Sequence, residues 1–137
     1  MRFMILVKAT KDSEAGKMPP ESLFAQMGKY HEDLQKAGML LDASGLKPSS
    51  RGWRIEYDGT KRSFVDGPFA ETKELVAGYT IIQAKSREEA IEWTRRFPNP
   101  AVDGVKCQIE VREFYELEDF AGSREVERFR RLEAART

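Results

Sequence analysis

The chain opens on an apolar run, Phe3 to Val7, inside a β-compatible segment from Arg2 to Ala9. That density of apolar residues predicts a strand buried on both faces, central in its sheet. Polar residues then break the pattern, and Lys11, Asp12, Ser13, Glu14 and Gly16 read as a loop that ends near Met18. Pro19-Pro20 ahead of Glu21 supplies the proline and the acid that a helix start tolerates or favours, so a helix is predicted from about Glu21 to Ala37. Counted at about 100° per residue from Leu23, the side chains of Met27, Tyr30, Leu34 and Ala37 fall within about 40° of that direction and form an apolar stripe. His31, near about 80°, and Phe24, near about 100°, sit at its edge. Gly38 closes the helix as a glycine beyond the last turn does.

Met39 to Leu41 is a short apolar run, and Ser44 to Ser50 reads as a loop. Gly52 to Tyr57 alternates, with Trp53, Ile55 and Tyr57 on one face and Arg54 and Glu56 on the other. Asp58-Gly59 is a hairpin signal, which makes Lys61 to Val65 the returning strand. Asp66-Gly67-Pro68-Phe69-Ala70-Glu71-Thr72-Lys73-Glu74 follows, too dense in charge and turn residues for a plain linker. Leu75 to Lys85 is the longest strand candidate, with Gly78 placed for a bulge or a close approach. Ser86 starts a second helix, and Glu89 three residues on completes a capping box; Pro98 stops it after Phe97. Gln108 to Glu116 alternates again, with Ile109, Val111 and, after a shift, Phe114 directed inward. From Ser123 to Arg136 a charged helix carries a sparse stripe of Val126, Phe129 and Leu132, which needs a surface to cover.

The predicted order is β, α, β, β, β, α, β with a helix appended. Two helices on one face of an antiparallel sheet give an α+β, ferredoxin-like sandwich with a hairpin or sheet extension between its halves. Its domain would span residues 1–120, and residues 121–137 would form a helical extension. The sheet's other face also receives apolar residues, and a dimer that packs two sheets together covers them.

Composition narrows the partners. At 137 residues the chain suits one compact domain. Its 23 Lys and Arg balance 23 Asp and Glu, so no field of one sign draws it to nucleic acid or an anionic membrane. Cys107 is the lone cysteine, which excludes an internal disulfide and favours a reducing, cytoplasmic setting; no cysteine and histidine cluster offers a metal site. The five-residue apolar run at the start is too short for a signal segment or a membrane span.

The nine residues from Asp66 to Glu74, with Ala37-Gly38-Met39-Leu40-Leu41 and Gly45-Leu46-Lys47-Pro48 before them and Glu89-Ala90-Ile91-Glu92-Trp93 after, resemble the DGPF branch of the YCII-related (YciI-like) proteins. The likeness spans about Met1 to Phe120. It implies a dimeric α/β barrel of ferredoxin-like subunits. In the wider group a histidine and an aspartate are proposed as an active pair. Aligned backwards from Ala37-Gly38 without gaps, that helix histidine falls on Met27, one turn before His31, and Lys47 stands where close relatives are expected to carry histidine.

His31 is the only histidine, and histidine is the side chain whose ordinary pKa of about 6.5 suits proton transfer near neutrality. The plainer reading is a helix-edge histidine bonded to a neighbour or to water. Asp66 has two readings as well: it orients the imidazole or acts as a base, or it caps its own turn by accepting backbone N–H bonds. In the loop, Pro68 restricts the backbone, Phe69 is a hydrophobic anchor, and Glu71, Lys73 and Glu74 are placed for ion pairs; Lys73, and less so Lys47, would meet a substrate carboxylate or phosphate. Cys107 reads as a small strand residue. The leading expectation is a small cytoplasmic homodimer with a pocket between the first helix, the sheet and the Asp66 to Glu74 loop. It would work by acid–base chemistry on a small polar metabolite, with His31 or Asp66 moving the proton and no metal or redox cofactor required. The rival expectation is a non-catalytic ligand-binding or regulatory dimer built on the same pocket, and a third is a structural role for the motif.

Overall fold

The computed structural model describes residues 1–120 and 122–136. Its strands are β1 (Arg2–Lys8), β2 (Leu40–Gly45), β3 (Trp53–Asp58), β4 (Lys61–Asp66), β5 (Val76–Gln83) and β6 (Ile109–Glu113). Its helices are α1 (Lys11–Glu14), α2 (Glu21–Lys36), α3 (Arg87–Arg95) and α4 (Val126–Arg136). β2, β5, β1 and β6 form one antiparallel sheet in that spatial order, and β3 pairs with β4 in a separate two-stranded sheet. The chain is thus a mixed α+β fold, consistent with the ferredoxin-like arrangement. The β3–β4 hairpin is inserted between β2 and β5, whose ends meet at the Gly45–Gly78 pair.

Register explains the core. Phe3 pairs with Ile82 and Ile5 with Thr80, so these four side chains share the sheet face on which the helices pack. There Tyr30 and Leu34 of α2 and Ala90 of α3 complete a buried cluster with Met39 and Ala84. Met4, Leu6, Tyr79 and Ile81 alternate onto the opposite face and remain half-buried. β1 is central, as its composition predicts, but its buried residues, Phe3 and Ile5, lie on one face alone.

Several elements differ from the sequence reading. The polar stretch after β1 contains a short helix, because Thr10 caps it: the Thr10 hydroxyl accepts from the Ser13 N–H at 3.2 Å, and the Ser13 hydroxyl accepts from the Thr10 N–H at 2.8 Å. β2 extends past the Met39 to Leu41 run into Asp42-Ala43-Ser44-Gly45, residues of poor strand propensity that pairing with β5 holds extended. In α2, Leu23, Tyr30 and Leu34 are buried as the stripe requires, but Ala37 is the exposed C-cap. At α3, the Ser86 hydroxyl accepts from the Glu89 N–H at 3.1 Å, while the Glu89 carboxylate accepts from the Lys85 N–H and not from that of Ser86, so the box is half formed. Gly78 sits beside a register shift in β1 and β5, and a Cβ there would stand 3.0 Å from the Ser44 carbonyl oxygen. Helix α4 buries Val126 but leaves Phe129 and Leu132 exposed. No helix among the described residues is long and apolar enough to cross a membrane.

Candidate functional site

His31 lies half-buried on α2 with both ring nitrogens engaged. Nδ1 stands 2.7 Å from the Met27 carbonyl oxygen, which can only accept, so Nδ1 carries the proton. In the neutral ring Nε2 is then an acceptor, and the Thr80 hydroxyl donates to it at 2.8 Å. A hydroxyl, a histidine that accepts its proton and a third group that orients the ring form the pattern of an activated nucleophile. Thr80 is only 2% exposed, however, so this hydroxyl faces the core and is closed to solvent while it holds the ring. Asp66 takes no part in holding the ring. The aspartate that the sequence offers as an orienting partner is replaced by the Met27 carbonyl one helical turn back.

The imidazole stands in an aromatic cluster, edge-on to Tyr30 at 5.6 Å and to Phe97 at 6.1 Å between ring centroids. Tyr30 donates to the Trp93 carbonyl at 2.7 Å and so ties α2 to the last turn of α3. Burial pushes its phenol up to about 12, against the opposing pull of the nearby Arg96 cation. Between α2 and α3 a groove of about 540 Å³ opens, lined among others by Gln26, Lys29, Tyr30, Asp33, Trp93 and Arg96. Lys29 pairs with Asp33 at 3.1 Å, whereas the Arg96 guanidinium lies 3.7 Å over the Trp93 ring and has no carboxylate partner among the described residues. The loop residues expected around a pocket, Lys47, Phe69, Glu71 and Lys73, do not line this groove.

The Asp66 to Glu74 loop is anchored by means the sequence did not announce. Gly67 donates its N–H to the Gly52 carbonyl at 3.0 Å, and the Gly67-Pro68 peptide is cis. A Cβ on Gly67 would lie 1.8 Å from the Ser49 carbonyl oxygen, so only glycine allows this backbone crossing. Ser49 is the hub. Its hydroxyl accepts from the Phe69 N–H at 3.0 Å and donates to the Glu14 carboxylate, which also accepts the Ser49 N–H at 2.9 Å. On the other side the Arg54 guanidinium lies 3.8 Å over the Phe69 ring, so Phe69 is the expected anchor, held by a cation. The ion pairs expected of Glu71, Lys73 and Glu74 do not form among the described residues; these side chains are exposed, as are Lys47 and Asp66. Nor does the Asp66 carboxylate cap a turn among the described residues. Cys107 is half-buried, donates to Asn99 at 3.1 Å, and has its thiol pushed up by burial, which disfavours the thiolate.

Of the six residues singled out from the sequence, only His31 has a built polar environment and only Phe69 a packed one. Thr80, Glu14, Ser49, Arg54 and Arg96 went unmarked. Ser49 next to Pro48 was the one legible hint of a turn hydroxyl; the others depend on contacts between distant segments.

An antiparallel sheet with two helices on one face and a hairpin inserted between its two βαβ halves defines the class as an α+β domain consistent with the ferredoxin-like fold. The chain belongs to the YCII-related domain family, whose model matches residues 1–115. It is also similar to an uncharacterised protein of Rhizobium meliloti (strain 1021), with 34% identity over 77 residues, which covers 56% of this chain and 59% of that protein.

Proposed function

We propose that the protein is a homodimer that binds a small organic anion in the groove between α2 and α3. The observation that carries this reading is Arg96, an exposed guanidinium laid on the Trp93 ring at the groove wall with no acid of its own among the described residues. A cation held against an aromatic face binds a carboxylate or phosphate through its N–H edge, while the half-buried Trp93 flanks the ligand's apolar body. Lys29, shared with Asp33, adds a second positive group. The DGPF loop then serves as a fixed platform beneath the hairpin and not as the pocket wall. Membership of the DGPF branch, a cytoplasmic setting, and a barrel-like dimer in which a second copy covers Met4, Leu6, Tyr79 and Ile81 belong to the same reading. The test is calorimetry with a panel of small mono- and dicarboxylates and phosphate monoesters. Saturable binding by one of them that weakens at least about ten-fold in Arg96→Ala supports the groove; binding that is indifferent to this change, or no binding across the panel, refutes it.

A second reading, acid–base catalysis at His31, draws support from the fixed tautomer. A substrate hydroxyl or enolisable group that displaced the Thr80 hydroxyl would face the basic Nε2, with Asp66 as the alternative base and Lys73 or Lys47 to neutralise developing charge. Loss of product formation in a folded His31→Ala, with binding at the groove retained, would favour it over pure binding.

A further inference from the structure

The β3–β4 hairpin is an arm without cover. Eleven of its strand residues are exposed and only Val65 is half-buried. Cross-strand partners share a face, so Trp53, Ile55 and Tyr57 lie with Asp66, Phe64 and Arg62 on one side of the arm. On the other side Arg54 rests on Phe69 of the chain's own loop. The aromatic side faces open space: Trp53 is 62% exposed, Tyr57 66% and Phe64 61%, with Trp53 and Phe64 stacked at 6.2 Å. A lone two-stranded hairpin is marginal in water, and although the Arg62 guanidinium lies 5.1 Å over the Tyr57 ring, these large side chains stay mostly uncovered.

We propose that this face pairs with the same face of a second copy, arm against arm about a two-fold axis. The reading rests on the homodimer proposed above and specifies part of its interface. Charge selects this occupant. Along the arm the face runs from Trp53 and Asp66 at the root, through Ile55 and Phe64, to Tyr57 and Arg62 at the tip. A two-fold axis through the middle lays root on tip, so Asp66 of each copy meets Arg62 of the other, Trp53 meets Tyr57, and Ile55 and Phe64 meet their own equivalents. Such a strip is self-complementary. Area agrees: with roughly 150 to 250 Å² per aromatic side chain, the exposed part of the four large residues comes to roughly 450 Å². That is about half of the roughly 800 Å² per partner of a stable interface, so the arms act together with the apolar open face of the sheet.

The experiment is a charge exchange read by sedimentation. Within one chain Arg62 and Asp66 sit at opposite ends of β4, so their pairing reports on the neighbour. Arg62→Glu and Asp66→Arg each set like charges against each other in the homodimer and are expected to weaken it about ten-fold or more at low salt. An equimolar mixture of the two single variants restores both pairs in a heterodimer and returns the mass to that of a tight dimer; high salt erases the difference. Circular dichroism confirms folding, and Phe64→Ser, which keeps every charge, must also weaken the dimer. A dimer equally tight in all variants overturns the arm pairing and leaves the homodimer standing. A wild-type chain that stays monomeric at every concentration overturns both. Single variants that weaken without rescue on mixing overturn the root-to-tip geometry.

Discussion

Replacing Tyr30 by Phe separates the two things this side chain does. Its hydroxyl donates to the Trp93 carbonyl at 2.7 Å, and the residue is only 6% exposed, so the substitution leaves that carbonyl without its side-chain donor. At neutral pH the variant is expected to lose about 1 kcal/mol of stability. The alkaline limb carries the sharper prediction. Burial raises the folded phenol to about 12, while the unfolded one ionises near 10. A raised value means that the protonated form is the one the fold favours: the stabilisation is complete below the unfolded pKa and is lost as pH rises toward the folded one. Wild type should therefore lose about 1 kcal/mol relative to Tyr30→Phe between pH 9 and pH 11, which closes the gap between them. Urea unfolding of both proteins across this range, followed by circular dichroism, gives the difference directly, since every other group titrates alike in the two. Two parallel stability curves would refute the account of Tyr30 as a buried, neutral tie between the helices.

Gly67→Ala should cost about 2 kcal/mol or more, because its Cβ collides with the Ser49 backbone, while Gly45→Ala, with nothing within 4 Å, should change the melting temperature little. Equal melts for the two would show that the loop crosses elsewhere. Ser49→Ala removes both of the hydroxyl's links, the acceptor of the Phe69 N–H and the donor to the Glu14 carboxylate, and is expected to destabilise by about 1 to 3 kcal/mol. Amide exchange at Phe69 should accelerate in that variant, and an unchanged rate would break the hub assignment. Nitrogen NMR of the imidazole should show the proton on Nδ1 both in wild type and in Thr80→Val, because the Met27 carbonyl still accepts from Nδ1–H when Nε2 loses its donor; a ring protonated on Nε2 in either protein would reverse the assignment.

The order of strands and helices was readable because it rests on local periodicity, and α2 shows how far that goes. Its stripe of Leu23, Tyr30 and Leu34 is the buried face, yet Ala37 drops out once the helix ends at Lys36. β2 escaped because Asp42, Ser44 and Gly45 are poor strand formers that owe their conformation to β5, a partner more than thirty positions on. The site was less legible for the same reason. His31 could be marked by its residue type, but its partners could not: Met27 is a backbone oxygen, and Thr80 is one hydroxyl in a strand of apolar neighbours. The motif from Asp66 to Glu74 drew attention by its charges, whereas what holds it is Gly67 against Ser49, a serine against Glu14 and an arginine on Phe69. A charged side chain announces itself in sequence; a close backbone approach does not.

The inserted arm also bears on how the chain reaches its fold. β2 and β5 must find each other across a connection of residues 46–75, of which the arm occupies 53–66, about half. The arm closes locally through its Gly59-Thr60 turn and is fastened at its root by the Gly67 to Gly52 hydrogen bond. Once it has formed, the stretch that remains free is about half as long, and the entropy of bringing β2 to β5 falls by about 0.6 kcal/mol. Wherever the hairpin is closed it acts as a splint, turning the long-range pairing of β2 with β5 into a medium-range one.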